Sequence, residues 1–100
     1  MDITPLVPKG KNIITAYGIN YVIVNGNKYL APLVITPDQL LLEASLEDLD
    51  VQMEVLIIGS SKTKPDHDLK AEIMSFGAAC RTYNILLTEG RAVACFLRAD

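Results

Sequence analysis

Apolar residues recur along the chain in two different periods, and the change of period marks the elements. Residues 13–17 are a short extended run closed by Gly18. Tyr21-Val22-Ile23-Val24 and Asn27-Lys28-Tyr29-Leu30 flank Asn25-Gly26. An Asn-Gly pair between β-branched and aromatic runs predicts a type I′ hairpin, because both turn residues take positive φ. Leu33-Val34-Ile35 continues extended after Pro32, whose missing N–H suggests a bulge or sheet edge. Thr36-Pro37-Asp38-Gln39 supports two readings. As N-cap, N1 and N3, Thr36, Pro37 and Gln39 fit a capping box opening a short helix over 40–43. Equally, Leu40 and Leu42 alternate as on a strand. Ser45 caps a helical turn over Leu46-Glu47-Asp48-Leu49, whose acids suit its first turn. A buried strand over 54–58 ends at Gly59, and Glu72-Ile73-Met74 is extended or helical.

From Ala78 the period lengthens. Ala79, Tyr83, Leu86 and Leu87 fall at i, i+4, i+7 and i+8, a core-facing helical stripe. Gly90 is the C-terminal stop, and 92–97 form a final buried strand. A hairpin followed by strands alternating with helices predicts an α/β or α+β layered domain with helices on the sheet.

Composition narrows the class. At 100 residues, half of them apolar and 21% charged, the chain reads as one folded domain over 1–100. Two cysteines and one histidine exclude a disulfide-rich scaffold and any four-ligand zinc site made of Cys and His alone. A net charge of −3 and a pI near 5.0 argue against a general nucleic-acid binder. The start, Met1-Asp2-Ile3-Thr4-Pro5, lacks the basic and apolar regions of a secretory signal. No apolar run approaches the roughly 20 residues of a membrane span. The expected location is the cytoplasm of a prokaryote, or the mitochondrial matrix for a processed form. There Cys80 and Cys95 stay reduced, although a disulfide between them is open on paper.

Few residues suggest chemistry. Gly59-Ser60-Ser61-Lys62-Thr63 follows a strand but lacks the glycine that a phosphate loop needs before its lysine. The end of that strand is still where open α/β sheets bind ligands. His67 between Asp66 and Asp68 reads as a solvated loop before it reads as a metal site. Cys80, near a helix start and beside Arg81, could have a lowered thiol pKa, but small-residue packing is the simpler reading. Arg81 and Asn84 share one helix face, and Glu89 and Arg91 flank Gly90 at the helix end. These four either tie the helix to neighbouring segments, with Asn84 capping buried backbone, or form an anion or partner site of guanidinium forks.

The run Ala78-Ala79-Cys80-Arg81-Thr82-Tyr83-Asn84-Ile85-Leu86-Leu87-Thr88-Glu89-Gly90-Arg91-Ala92-Val93-Ala94 resembles the signature of a small-domain family. That family includes mitochondrial complex I assembly factor three and adipogenesis-associated single-domain proteins. Tyr17-Gly18, the Asn25-Gly26 hairpin, Pro37 and Leu56-Ile57-Ile58-Gly59 extend the resemblance over nearly the whole chain. The resemblance implies a three-layer α/β fold with a central mixed sheet, an N-terminal β-hairpin, and the signature helix followed by a final strand. It also implies that 39–43 are extended.

Functionally, the resemblance implies a non-enzymatic assembly or interaction factor of the respiratory complex I type, with a protein partner, no cofactor and no metal. A monomer or weak homodimer is expected. Gly59, Ser60, Arg81, Tyr83, Asn84, Glu89 and Arg91 carry over as the pocket or partner-binding group. The alternative is a carboxylate- or phosphate-binding protein or enzyme using Arg81, Arg91 and Ser60. The chain departs from the family pattern at Gly59-Ser60-Ser61, where Gly-Thr-Gly is usual, and at Ser75-Phe76, which removes a hydroxyl from the start of the helix. The short interval 60–73 between Gly59 and Met74 implies that one helix is shortened or absent, leaving a strand face uncovered.

Overall fold

The computed structural model describes residues 10–48, 52–60 and 71–99. They form two sheets and one helix followed by a final strand, a mixed α/β arrangement. Strands β1 (Ile14–Gly18), β2 (Tyr21–Val24) and β3 (Asn27–Leu30) make an antiparallel sheet in that order. Val24 pairs with Asn27 across the predicted two-residue turn, where Asn25 and Gly26 have φ of 51° and 87°. A bulge interrupts β1 between Ile14 and Ala16.

Strands β4 (Leu33–Ile35), β5 (Leu40–Leu42), β6 (Val55–Gly59), β7 (Glu72–Met74) and β8 (Val93–Leu97) build the second sheet, in the order β5-β4-β8-β6-β7. β4 runs antiparallel to β5 and β8, whereas β6 runs parallel to β7 and β8, so this sheet is mixed. The edge expected for 33–35 is corrected: β4 lies between β5 and β8. Pro32 precedes the strand, so its lost N–H removes no ladder bond.

The helix considered for 40–43 is also corrected to a strand. Thr36 Oγ1 accepts the Gln39 N–H at 3.0 Å, as a cap would. The Thr36 N–H then donates to the Gln39 carbonyl at 2.9 Å and closes a hairpin, pairing Ile35 with Leu40. Strand geometry turns Leu40 onto the core, and a positive φ of 53° at Glu43 follows the strand. Ser45 opens one 3-10 turn over Leu46–Asp48, and its N–H donates to Asp48 Oδ2 at 2.8 Å.

Helix α1 spans Phe76–Thr88, two residues longer at its start than the pattern from Ala78. Ser75 is the N-cap and its Oγ accepts the Ala78 N–H at 3.3 Å, so the helix start is capped from position 75 without a hydroxyl at position 76. At the other end the Gly90 N–H reaches the Leu87 carbonyl and the Arg91 N–H the Leu86 carbonyl, both at 3.0 Å. With Gly90 at φ 73°, this is a Schellman stop, which needs a residue free to adopt the left-handed region.

Strand register sorts the large sheet into alternating rows. Leu40, Ile35, Cys95 and Ile57 face one side; Leu41, Val34, Phe96, Ile58 and Ile73 face the other. The first side meets Ala79, Cys80, Tyr83 and Leu87 of α1 together with Ile14, Val22 and Val24 of the small sheet in one core. On the second side Val34, Leu56, Ile58, Ala94 and Phe96 are also buried, with Ala44, Met53 and Ala71 against them. The uncovered strand face expected from the short 60–73 interval is corrected over β4, β8 and β6, where residues of the connections lie on it, while Leu41 and Ile73 on the two edge strands stay exposed. A helix forming a third layer there would fall within 61–70, outside the described residues.

Gly59 sets the spacing between α1 and the sheet. A Cβ there would lie 2.8 Å from both Ala79 Cβ and Leu97 Cδ2, and 3.4 Å from Phe76 Cα. Gly59→Ala is therefore expected to destabilise by about 1–3 kcal/mol through overpacking. An unchanged thermal melt would show that helix and strand can separate without loss.

Candidate functional site

The signature side chains of α1 turn toward the segment that leads into and forms β1. Asn84 uses its whole amide on one residue: Oδ1 accepts the Ile14 N–H at 3.0 Å and Nδ2 donates to the Ile14 carbonyl at 2.6 Å. It thus pairs with the outer edge of β1 as a neighbouring strand would, just at the bulge. One residue earlier, Tyr83 is fully buried and its O–H donates to the Asn12 carbonyl at 2.7 Å. Arg81, exposed, donates from Nη1 to the Tyr17 hydroxyl at 2.6 Å. The Tyr17 ring lies on Gly77, where a Cβ would come within 2.7–2.8 Å of it. Gly77, Arg81 and Asn84 therefore form one helical edge that seats β1.

The other predicted residues lie elsewhere. Arg91 is held by Glu54, with Nε at 3.0 Å and Nη2 at 2.9 Å from Oε1, and not by Glu89. Register explains the pairing: Val55 stands opposite Val93, so the residues just before these parallel strands meet. Glu89 is the C-cap, and its carboxylate has no partner among the described residues. Gly59 and Ser60 sit where β6 ends, beneath the first turn of α1. Ser60 is buried and its N–H donates to the Met74 carbonyl at 2.9 Å. Ala79 and Leu97 fill the space beside the Gly59 Cα.

The seven residues thus divide into three places. Arg81 and Asn84 border a shallow cleft of about 380 Å³ with Tyr17 and Cys80. Arg91 borders a separate cleft of about 460 Å³ between the end of α1 and the β4–β5 hairpin, with Lys11, Thr36, Met53 and Leu87 among its walls. Ser60 borders neither. Sequence reasoning missed Asn12, Gly77 and Glu54 as partners of these residues. Only Gly77, a glycine in a helix's first turn, left a local signal.

Both cysteines are free and buried. Burial pushes the Cys80 thiol from its ordinary 9.0 up to about 12, and neighbouring Arg81 only partly offsets this. The lowered pKa considered for Cys80 is thus corrected, because desolvation outweighs the cation beside it. Cys95 is raised as well, again by burial first. Thiol reagents at neutral pH should therefore label neither cysteine until the chain unfolds, and fast native labelling would contradict this burial. Linkage has a definite sign here: above pH 9 the unfolded thiols ionise while the folded ones stay protonated. Stability should fall as pH rises from about 9 toward 12.

No group of three His, Cys, Asp or Glu among the described residues could hold a metal ion, and His67 lies outside them. Among the same residues, no helix is long and apolar enough to cross a membrane.

Comparison with known proteins places this geometry in a wider set. A search of curated proteins finds no match. Among solved structures, the chain is similar to a crystal structure of a Bordetella parapertussis protein, at 25% identity and a TM-score of 0.69, over 92% of this chain and 98% of that one. It is similar to a crystal structure described as an outer membrane protein from Bartonella henselae, at 26% identity and a TM-score of 0.71, over 90% and 96% of the two chains. It also shares its fold with a Bordetella pertussis protein described as a Mth938-like domain, at 22% identity and a TM-score of 0.66, over 100% and 93%. The family described as "Protein of unknown function (DUF498/DUF598)" matches residues 14–98, and the chain belongs to it.

Proposed function

We propose that this chain is a non-catalytic interaction protein of the assembly-factor type, acting on a protein partner in respiratory complex I biogenesis without a cofactor. The observation that carries this reading is how the signature's polar side chains are engaged. Arg81, Tyr83 and Asn84 bind the chain's own residues 12–17, and both thiols are buried in their protonated form. A signature that builds a rigid helix–strand unit suits a domain that works by contact. The surface offered to the partner centres on Arg91 and its cleft at the end of α1, and the site of action is the prokaryotic cytoplasm or, for a processed form, the mitochondrial matrix. Deleting the gene in its own cell should lower the amount of assembled complex I on native gels, and an Arg91→Glu chain should fail to restore it. Unchanged complex I in the deletion strain would overturn the reading.

One observation favours a second reading. The Arg91 cleft is within the roughly 300–1,000 Å³ range of small-molecule sites and has Lys11 and Arg91 at its rim. A small carboxylate or phosphate bound there would have to displace Asp38 from Lys11 and Glu54 from Arg91. Chemical-shift changes at the Arg91 side chain on adding inorganic phosphate or acetate would support it, and none at millimolar concentrations would exclude it.

A further inference from the structure

The solvent face of α1 carries an ordered ridge that neither the β1 contacts nor the Arg91 cleft uses in full. Arg81, Ile85 and Glu89 follow one another at i, i+4 and i+8, and all three are exposed. Ile85 leaves 57% of its surface in water between a cation and an acid. A single exposed isoleucine is ordinary. The order of charges around it is what distinguishes this ridge.

We infer that the Arg81–Ile85–Glu89 ridge pairs two copies of this chain about a two-fold axis that passes between the two Ile85 side chains. Turned end for end, the ridge is its own complement, as an isologous interface requires. Ile85 meets Ile85, and each Arg81 faces the other copy's Glu89. The ridge spans about 12 Å at 1.5 Å per residue, and residues four apart form the ridges that interdigitate when helices pack at crossing angles near 50°.

The charges also have a motive to pair. Glu89 is an acid at the C-terminal end of a helix, where the macrodipole disfavours it, and it has no side-chain partner among the described residues. Arg81 donates once to Tyr17, and a guanidinium has five N–H groups, so donors remain. Tyr17, half-exposed beside Arg81, extends the surface with aromatic area. A patch of this size predicts a weak, concentration-dependent dimer. The inference does not rest on the complex I reading, because it uses a different face of the protein.

Charge reversal tests it. Sedimentation of the full chain from micromolar to millimolar concentration should show a mass rising from 10.9 kDa toward twice that value. R81E and E89R should each stay monomeric, since each sets like charges opposite one another. The double variant R81E/E89R should dimerise again, and an equimolar mixture of the two single variants should associate more tightly than the original chain. Circular dichroism of each variant checks folding, because Arg81 also holds Tyr17. If R81E does not fold, Ile85→Asp replaces it and should abolish the dimer from the centre of the ridge. A chain that stays monomeric to millimolar concentration would overturn the proposal. So would folded single variants that dimerise unchanged, or a folded double variant that does not dimerise.

Discussion

Asn84→Ala is expected to lower the stability of the domain by about 2–4 kcal/mol, because it removes both partners of one backbone residue at once. The amide accepts from the Ile14 N–H and donates to the Ile14 carbonyl, and the Ile14 side chain is itself in the core. Alanine would leave an N–H and a carbonyl facing a helix that offers neither an acceptor nor a donor. At this size each kcal/mol moves the melting temperature by roughly 4–8 °C, so a thermal melt resolves the effect easily. Asn84→Asp separates the two bonds. The carboxylate can still accept from the Ile14 N–H but would face the Ile14 carbonyl oxygen, which raises its folded-state pKa above the unfolded value. The protonated acid can donate to that carbonyl, so N84D should be more stable below the unfolded pKa and lose that stability as pH rises through the folded pKa. A melt of N84D with the same pH dependence as the original chain, or an Asn84→Ala loss under 1 kcal/mol, would show that water replaces the amide.

What the sequence made legible was local. The Asn25-Gly26 hairpin and the Gly90 stop each depend on residues within a few positions of one another, and the structure keeps both, while the final buried strand starts at Val93, one residue later than expected. The tetrapeptide 36–39 shows the limit. Its Thr36–Gln39 bond satisfies a helix cap and a hairpin loop equally well, and only the pairing of Ile35 with Leu40 decides between them. The position of β4 depends likewise on β8, some sixty residues away in the chain. The candidate site divides along the same line. Arg81 and Asn84 were identifiable as neighbours from helical spacing, and the reading in which Asn84 caps buried backbone matches the Ile14 bonds. That Arg91 pairs with Glu54 rather than Glu89 follows from β6 and β8 lying side by side in register, which no spacing along the chain announces.

A buried ring with a hydrogen-bonded polar tip makes Tyr83 the second large expectation. Its ring is fully buried in the core that α1 shares with both sheets, so Tyr83→Ala should cost about 3–5 kcal/mol through lost transfer energy and the cavity left behind. Against a typical domain stability of about 5–15 kcal/mol, that places the variant close to unfolding. Tyr83→Phe keeps the ring and removes only the hydroxyl that donates to the Asn12 carbonyl, for an expected loss of about 0.5–1.5 kcal/mol. That smaller loss has a specific location. Asn12 also donates from its backbone to the Pro37 carbonyl and from its side chain to the carbonyls of Thr36 and Gln39. The Tyr83 hydroxyl therefore links α1, through Asn12, to the hairpin that walls the Arg91 cleft. In Tyr83→Phe, amide hydrogen exchange should quicken at Asn12 and Gln39 while the amides of β8 stay protected. Urea titration of the two variants separates the contributions: equal losses would assign the whole effect to the hydroxyl, and an unchanged Tyr83→Phe would show that the helix holds the hairpin by packing alone.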